Sequence, residues 1–127
     1  IPTYKVVVGY IIKNNKFLIS KRPPKGLLSN LWELPGGKIK LKESKESCLK
    51  REIKEEVNIT VKIIDKIGTI KHQYSHFKVI ITLFKCNYIS GQACANESQD
   101  IQWIDWKEKK QFAFPNATHK LFQLLMD

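Results

Sequence analysis

Hydrophobic and polar positions follow two rhythms along this chain, and each change of rhythm marks an element. Tyr4 to Ile12 is rich in Val and Ile and predicts a strand; Phe17 to Lys21 predicts its neighbour, with Lys13-Asn14-Asn15-Lys16 as the turn between them. Arg22-Pro23-Pro24-Lys25-Gly26 predicts a loop. Beyond it the period lengthens. Cys48, Leu49, Ile53 and Val57 recur at helical spacing and predict a helix over Glu43 to Val57, with Glu43 and Ser44 near its start, where negative charge and side-chain acceptors meet free amides. Val61 to Ile70 and Lys78 to Tyr88 return to alternation, with enough β-branched residues to predict two more strands. Ile101 to Trp106 predicts a short strand, and Ala117 to Met126 a closing helix with Leu121, Leu124 and Leu125 inward. Strands before, between and after two helices place the chain in the α/β class, as a mixed sheet covered on both faces. No linker, repeat or low-complexity tract interrupts the pattern, so residues 1–127 are expected to form one domain.

The polar side of the first helix changes this picture. At about 3.6 residues per turn, Glu52 and Glu56 lie one turn apart on the same face, with Glu55 on the flank. Like charges at that spacing repel by a few tenths of a kcal/mol per pair, as an accident of a solvated face or because a cation sits between them. Lys45, Lys50, Arg51 and Lys54 fit the solvated alternative. Carboxylate oxygens suit hard cations such as Mg²⁺ or Mn²⁺, whereas zinc would want a Cys or His cluster, and the chain has none at short spacing.

The segment before the helix favours the cation. Trp32-Glu33-Leu34-Pro35-Gly36-Gly37 is an apolar run ending in a turn that lets main-chain carbonyls approach a ligand or metal. Gly37, five residues, Glu43, seven residues, then Arg51-Glu52-Ile53-Lys54-Glu55-Glu56 resembles the Nudix box, the signature of enzymes that hydrolyse a nucleoside diphosphate linked to another group. Asn58 stands where that family usually has Gly, and Asn tolerates the left-handed conformation that ends a helix. The resemblance implies an α/β/α sandwich with a mixed sheet. It also implies that Glu52, Glu55, Glu56 and Glu97, with the Gly37 carbonyl, hold divalent ions, and that Arg51 orients the carboxylates instead of touching substrate. Which glutamate is the general base stays open. Lys38, next to the turn, reads either as a group that stabilises an oxyanion or as a solvated lysine.

Two branches of the family compete. In the first, the MutT type, a free-standing enzyme hydrolyses 8-oxo-dGTP to the monophosphate and pyrophosphate. Glu97-Ser98-Gln99-Asp100-Ile101-Gln102-Trp103 resembles its stretch carrying a further metal ligand or base, and Arg22 matches a basic residue facing the nucleotide. Phe114-Pro115-Asn116-Ala117-Thr118 resembles the stretch that reads guanine; the reading Asn of that type falls where Thr118 stands here, so recognition rests on Thr118 or Asn116. The second is the C-terminal domain of MutY, an adenine glycosylase, which recognises 8-oxoguanine in duplex DNA. His72-Gln73-Tyr74-Ser75-His76-Phe77 resembles its base-probing loop, through Tyr74, Ser75 and His76; read as an ordinary strand, it packs Tyr74 inward and leaves Ser75 and His76 on the rim. Readers of that type commonly lack the catalytic carboxylates, and this chain keeps them all. The leading expectation is therefore a Mg²⁺-dependent nucleoside triphosphate pyrophosphohydrolase that clears 8-oxo-dGTP, with the DNA reader as the alternative.

Charge and cysteines add less. The net charge is +10, and because acids outnumber bases by one between Glu43 and Glu56, the remainder carries +11. That balance suits a polyanionic partner, whether nucleotide phosphates or nucleic acid, and equally a lysine-rich surface of no special purpose. Cys48, Cys86 and Cys94 are an odd set at unrelated spacings and read as reduced thiols of a cytoplasmic protein, with Cys48 in helix core. No stretch is apolar enough to predict a membrane span; the chain starts at Ile1, as a trimmed or excised piece would. Trp103 and Trp106 are expected to be core.

Overall fold

The computed structural model describes residues 1–127. In chain order it comprises β1 (Thr3–Lys13), β2 (Lys16–Lys21), β3 (Trp32–Glu33), β4 (Gly36–Lys38), α1 (Lys45–Val57), β5 (Thr60–Gln73), β6 (Lys78–Ser90), β7 (Asp100–Ile104), a 3-10 turn (Glu108–Gln111) and α2 (Asn116–Met126). All seven strands belong to one mixed sheet, as the sequence pattern implies. β1 runs parallel to β6 from Thr3↔Lys78 to Ile12↔Asn87, and the other pairings are antiparallel. Asn14 and Asn15 both take positive φ, 52° and 64°, which matches the right-handed twist of the β1–β2 hairpin.

The sheet opens where the site will lie. β1 and β2 are paired only beside their turn, at Ile12↔Phe17 and Lys13↔Lys16. Below that point the segment Trp32–Lys38 enters the gap: β3 pairs with Ser20 and Lys21 of β2, and β4 pairs with Val6, Val7 and Val8 of β1. The Gly9 amide donates to the Pro35 carbonyl at 2.9 Å and closes the seam. This corrects the expectation that the apolar run Trp32–Gly37 ends in a turn: Gly36 and Gly37 lie in β4.

Strand alternation splits the interior into two cores. Val7, Ile11, Leu18, Phe84 and Cys86 face α1 and pack on Cys48, Leu49, Ile53 and Val57. Val8, Phe17, Ile19, Ile81 and Leu83 face α2 and pack on Ala117, Leu121 and Phe122. Each large side chain so buried contributes about 1.5–3 kcal/mol. One helix on each face is the α/β/α layering that the resemblance implies.

Element ends differ from expectation for local reasons. α1 begins at Lys45 because Ser44 is extended (φ −74°, ψ 158°) and its hydroxyl accepts from the Ser47 amide, leaving Glu43 outside the helix. α1 ends on Asn58 in the left-handed region (φ 61°), as the substitution for Gly requires. β7 stops at Ile104 because Asp105 and Glu108 exchange side-chain to backbone bonds at 2.9 and 3.0 Å, which starts the 3-10 turn and takes Trp106 out of the strand. Trp106 stacks among Tyr10, Phe17 and Phe122, at the surface instead of in the core.

Candidate active site

α1 carries its acids toward the seam. Arg51 stands at the centre: its Nε and Nη2 donate to Glu43 at 2.6 and 2.9 Å, and its Nη1 donates to Glu52 at 2.9 Å and Glu55 at 3.1 Å. A planar guanidinium with fixed donors gathers three carboxylates that would otherwise repel. The hydrogen bond from Arg51 holds the Glu43 carboxyl down at about 2, and the same contact raises the guanidinium further. Arg51 is thus occupied by protein carboxylates.

Glu97 reaches the same place along a pinned loop. The Cys94 amide donates to the Val57 carbonyl at 3.1 Å and the Asn96 amide to the Glu56 carbonyl at 3.0 Å, while Asn96 Nδ2 donates to the Glu55 carbonyl at 3.3 Å. The orphan carbonyls at the end of α1 therefore hold the loop that carries Glu97. One carboxylate oxygen from each of Glu52, Glu55 and Glu97 lies within 4.8 Å of the others. Oxygen donors at that separation fit a hard divalent cation. Gly37 presses against the cluster: a Cβ there would overlap the Glu52 carboxylate and displace it.

Glu56 stands apart from those three. It is 8% exposed, accepts from Ser20 Oγ at 2.8 Å through one oxygen and from the Gly36 amide at 3.3 Å through the other. Burial, then the charge of Glu33, pushes its carboxyl up to about 7, against the lowering effect of those two donors. Ser20 and Glu33 escape a reading by motif: Ser20 looks like part of an apolar strand, and Glu33 like part of an apolar run.

On the α2 side of the seam lies a cavity of about 390 Å³, lined by apolar side chains with Arg22, Glu33, Lys38, Tyr74 and Thr118 as polar points. Arg22 is braced by the Leu27 carbonyl at 3.0 Å and by Glu33 at 3.1 Å. Burial raises Glu33 despite that partner, and burial likewise raises the Tyr74 phenol. Lys38 lies with its Nζ 4.0 Å from the centre of the Tyr4 ring.

Three candidates fall outside this cavity. Tyr74 packs against His72 and Phe77, but Ser75 and His76 are exposed at the tip of the same turn and line none of it. Asn116 is the first residue of α2 and exposed; Thr118 is 5% exposed and reaches the cavity, because two residues turn a helix by about 200°.

Comparison with known proteins identifies the family. A family model described as a NUDIX domain matches residues 7–124. The 8-oxo-dGTP diphosphatase of Buchnera aphidicola subsp. Schizaphis graminum is 36% identical over 114 residues, covering 87% of this chain and 84% of that protein. The CTP pyrophosphohydrolase of Escherichia coli is 26% identical over 122 residues, 96% of this chain and 90% of the relative. The MutT NUDIX hydrolase of Burkholderia pseudomallei superposes with a TM-score of 0.85 at 19% identity, over 98% of each chain. An arginine-gathered acid cluster beside a glycine of β4, on a fold shared along nearly its whole length, leaves one assignment: this chain belongs to the Nudix hydrolase family.

Proposed function

We propose that this protein is a Mg²⁺- or Mn²⁺-dependent nucleoside triphosphate pyrophosphohydrolase that removes oxidised purine nucleotides such as 8-oxo-dGTP from the pool that feeds DNA synthesis. Nudix hydrolases generally use divalent metal ions. Glu52, Glu55 and Glu97 would hold them, joined by Glu56 and the Gly37 carbonyl. The observation that carries this reading is the convergence of three carboxylates within 4.8 Å on one side of the seam, with a nucleobase-sized cavity on the other. When bound, the ions neutralise phosphate charge and lower the pKa of a water.

The chain's own groups do the rest. Apolar walls and Tyr74 would take the base, and Thr118 would meet its polar edge. Arg22, braced through Nε and Nη1 at the cavity, would face the nucleotide with Nη2. A water oxygen forms a bond to phosphorus as the bridging P–O bond breaks, a glutamate takes the proton, and nucleoside monophosphate departs. The named relatives act on 8-oxo-dGTP and on CTP, so the phosphoanhydride is shared and the base is set by the cavity. Incubation with 8-oxo-dGTP and Mg²⁺ should release pyrophosphate, and Glu52→Gln or Glu56→Gln should remove the activity. Turnover that survives both substitutions, or that persists in chelator, would sink the proposal.

A further inference from the structure

Ser20 breaks the pattern of its own strand. In β2, Phe17 and Ile19 face the α2 core while Leu18 faces the α1 core, and alternation sends Ser20 to the same side as Leu18. An apolar residue would suit that place for packing alone. Ser20 is instead 0% exposed and spends its hydroxyl on Glu56 Oε1 at 2.8 Å, linking β2 to α1 across thirty-six residues of chain.

The bond singles out one acid of four. Glu52 and Glu55 take side-chain bonds from Arg51, on their own helix. Glu56 alone is tied to the sheet, through Ser20 at one oxygen and the Gly36 amide at the other. Each carboxylate oxygen has two lone pairs, so this arrangement fixes the rotation of the group while leaving one acceptor direction free on each oxygen. A local rule broken by a buried polar side chain, with its partner in a functional cluster, marks a residue kept for the site and not for the fold.

We infer that Ser20 is a positioning residue: its hydroxyl orients the Glu56 carboxylate for the divalent ion and thereby sets ion affinity and turnover, without touching substrate. The inference rests on the reading of the four glutamates as ion ligands. Its logic is that of outer partners that orient a metal ligand, whose loss costs about 10- to 100-fold in affinity or activity.

The test compares wild type with Ser20→Ala, Ser20→Cys and Ser20→Thr. Mn²⁺ binding is measured by titration calorimetry without nucleotide, and kcat and KM are measured with 8-oxo-dGTP. Ala and Cys, which lack a strong hydroxyl donor, should each weaken Mn²⁺ binding about tenfold and lower kcat to match, with KM for the nucleotide nearly constant. Thr restores the hydroxyl and should return both quantities to within about threefold of wild type. Wild-type ion affinity and kcat in Ser20→Ala would overturn the inference, as would equal losses in Thr and Ala, which would make space and not the hydroxyl the requirement. Should Ser20→Ala fail to fold, the near-isosteric Cys variant carries the same comparison. Wild-type protein that binds no ion overturns both this inference and the hydrolase mechanism above; wild-type binding matched by Ser20→Ala overturns this inference alone.

Discussion

Glu56 is where stability and chemistry oppose each other most directly. Its carboxyl moves from 4.5 to about 7 on folding without metal, chiefly because burial disfavours the charged form. The folded protein then holds this proton more tightly than the unfolded chain does. Below about pH 4.5 the group is protonated in both states and costs nothing; between about 4.5 and 7 the unfolded chain releases the proton that the folded state keeps, and stability falls by on the order of 3 kcal/mol. Glu33, also raised by burial, acts in the same sense. Glu43, held at about 2 by Arg51, acts in the opposite one, its stabilisation vanishing as pH falls from about 4.5 toward 2. In chelator the denaturation midpoint should therefore decline between pH 4.5 and 7, and Glu56→Gln should flatten much of that decline while lowering turnover by about 100-fold or more. A second residue-scale expectation concerns Gly37. Ala there would force the Glu52 carboxylate aside, so Gly37→Ala should cut kcat by at least about tenfold, and ion calorimetry should show the matching loss of affinity.

At the scale of elements, α1 is both a packing unit and a bracket for charge, and Arg51 joins the two roles. Lys in its place keeps the charge but offers one ammonium where the guanidinium gives Nε and Nη2 to Glu43 and Nη1 to Glu52 and Glu55. Arg51→Lys is expected to lower kcat about tenfold or more with a melting point close to wild type, whereas Ser44→Ala should cost about 1 kcal/mol of stability and leave kcat intact. Both are read by steady-state kinetics beside thermal melts. α1 was also the most legible element, since its stripe of Cys48, Leu49, Ile53 and Val57 and its acidic face are local facts of helical spacing. β3 and β4 were not legible: strands of two and three residues owe their existence to partners on β1 and β2, which no local window contains. The same reason hid Ser20, whose importance is its partner thirty-six residues away. Glu97 was visible only through resemblance, because its approach to Glu52 and Glu55 depends on loop amides bonding the end of α1. Asn116 and Thr118 could be told apart only once the start of α2 set which of them faces the sheet.

Across the whole molecule, the seam between β1 and β2 separates two tasks. The α1 side gathers negative charge, against a chain whose net charge is +10. The α2 side offers a largely apolar cavity with Thr118 and Tyr74 at its polar points. Glu33 sits on the segment between them, bonded to Arg22 at the cavity and acting by its charge on Glu56. A nucleotide lying across this segment would place its base on one side and its phosphates on the other, so the energies of base choice and of ion binding should be nearly independent. Sites that share no partner usually add to within about 0.5 kcal/mol. Thr118→Val and Tyr74→Ala should therefore change the ratio of kcat/KM between 8-oxo-dGTP and CTP while leaving Mn²⁺ affinity in calorimetry unaltered. Glu55→Gln should do the reverse, weakening the ion equally for every nucleotide. The double variant Thr118→Val with Glu55→Gln should show the sum of the two free-energy changes. A coupling well above 1 kcal/mol would mean that base and ion are felt through one another, with Glu33 as the connecting charge, and Glu33→Gln should then abolish that coupling.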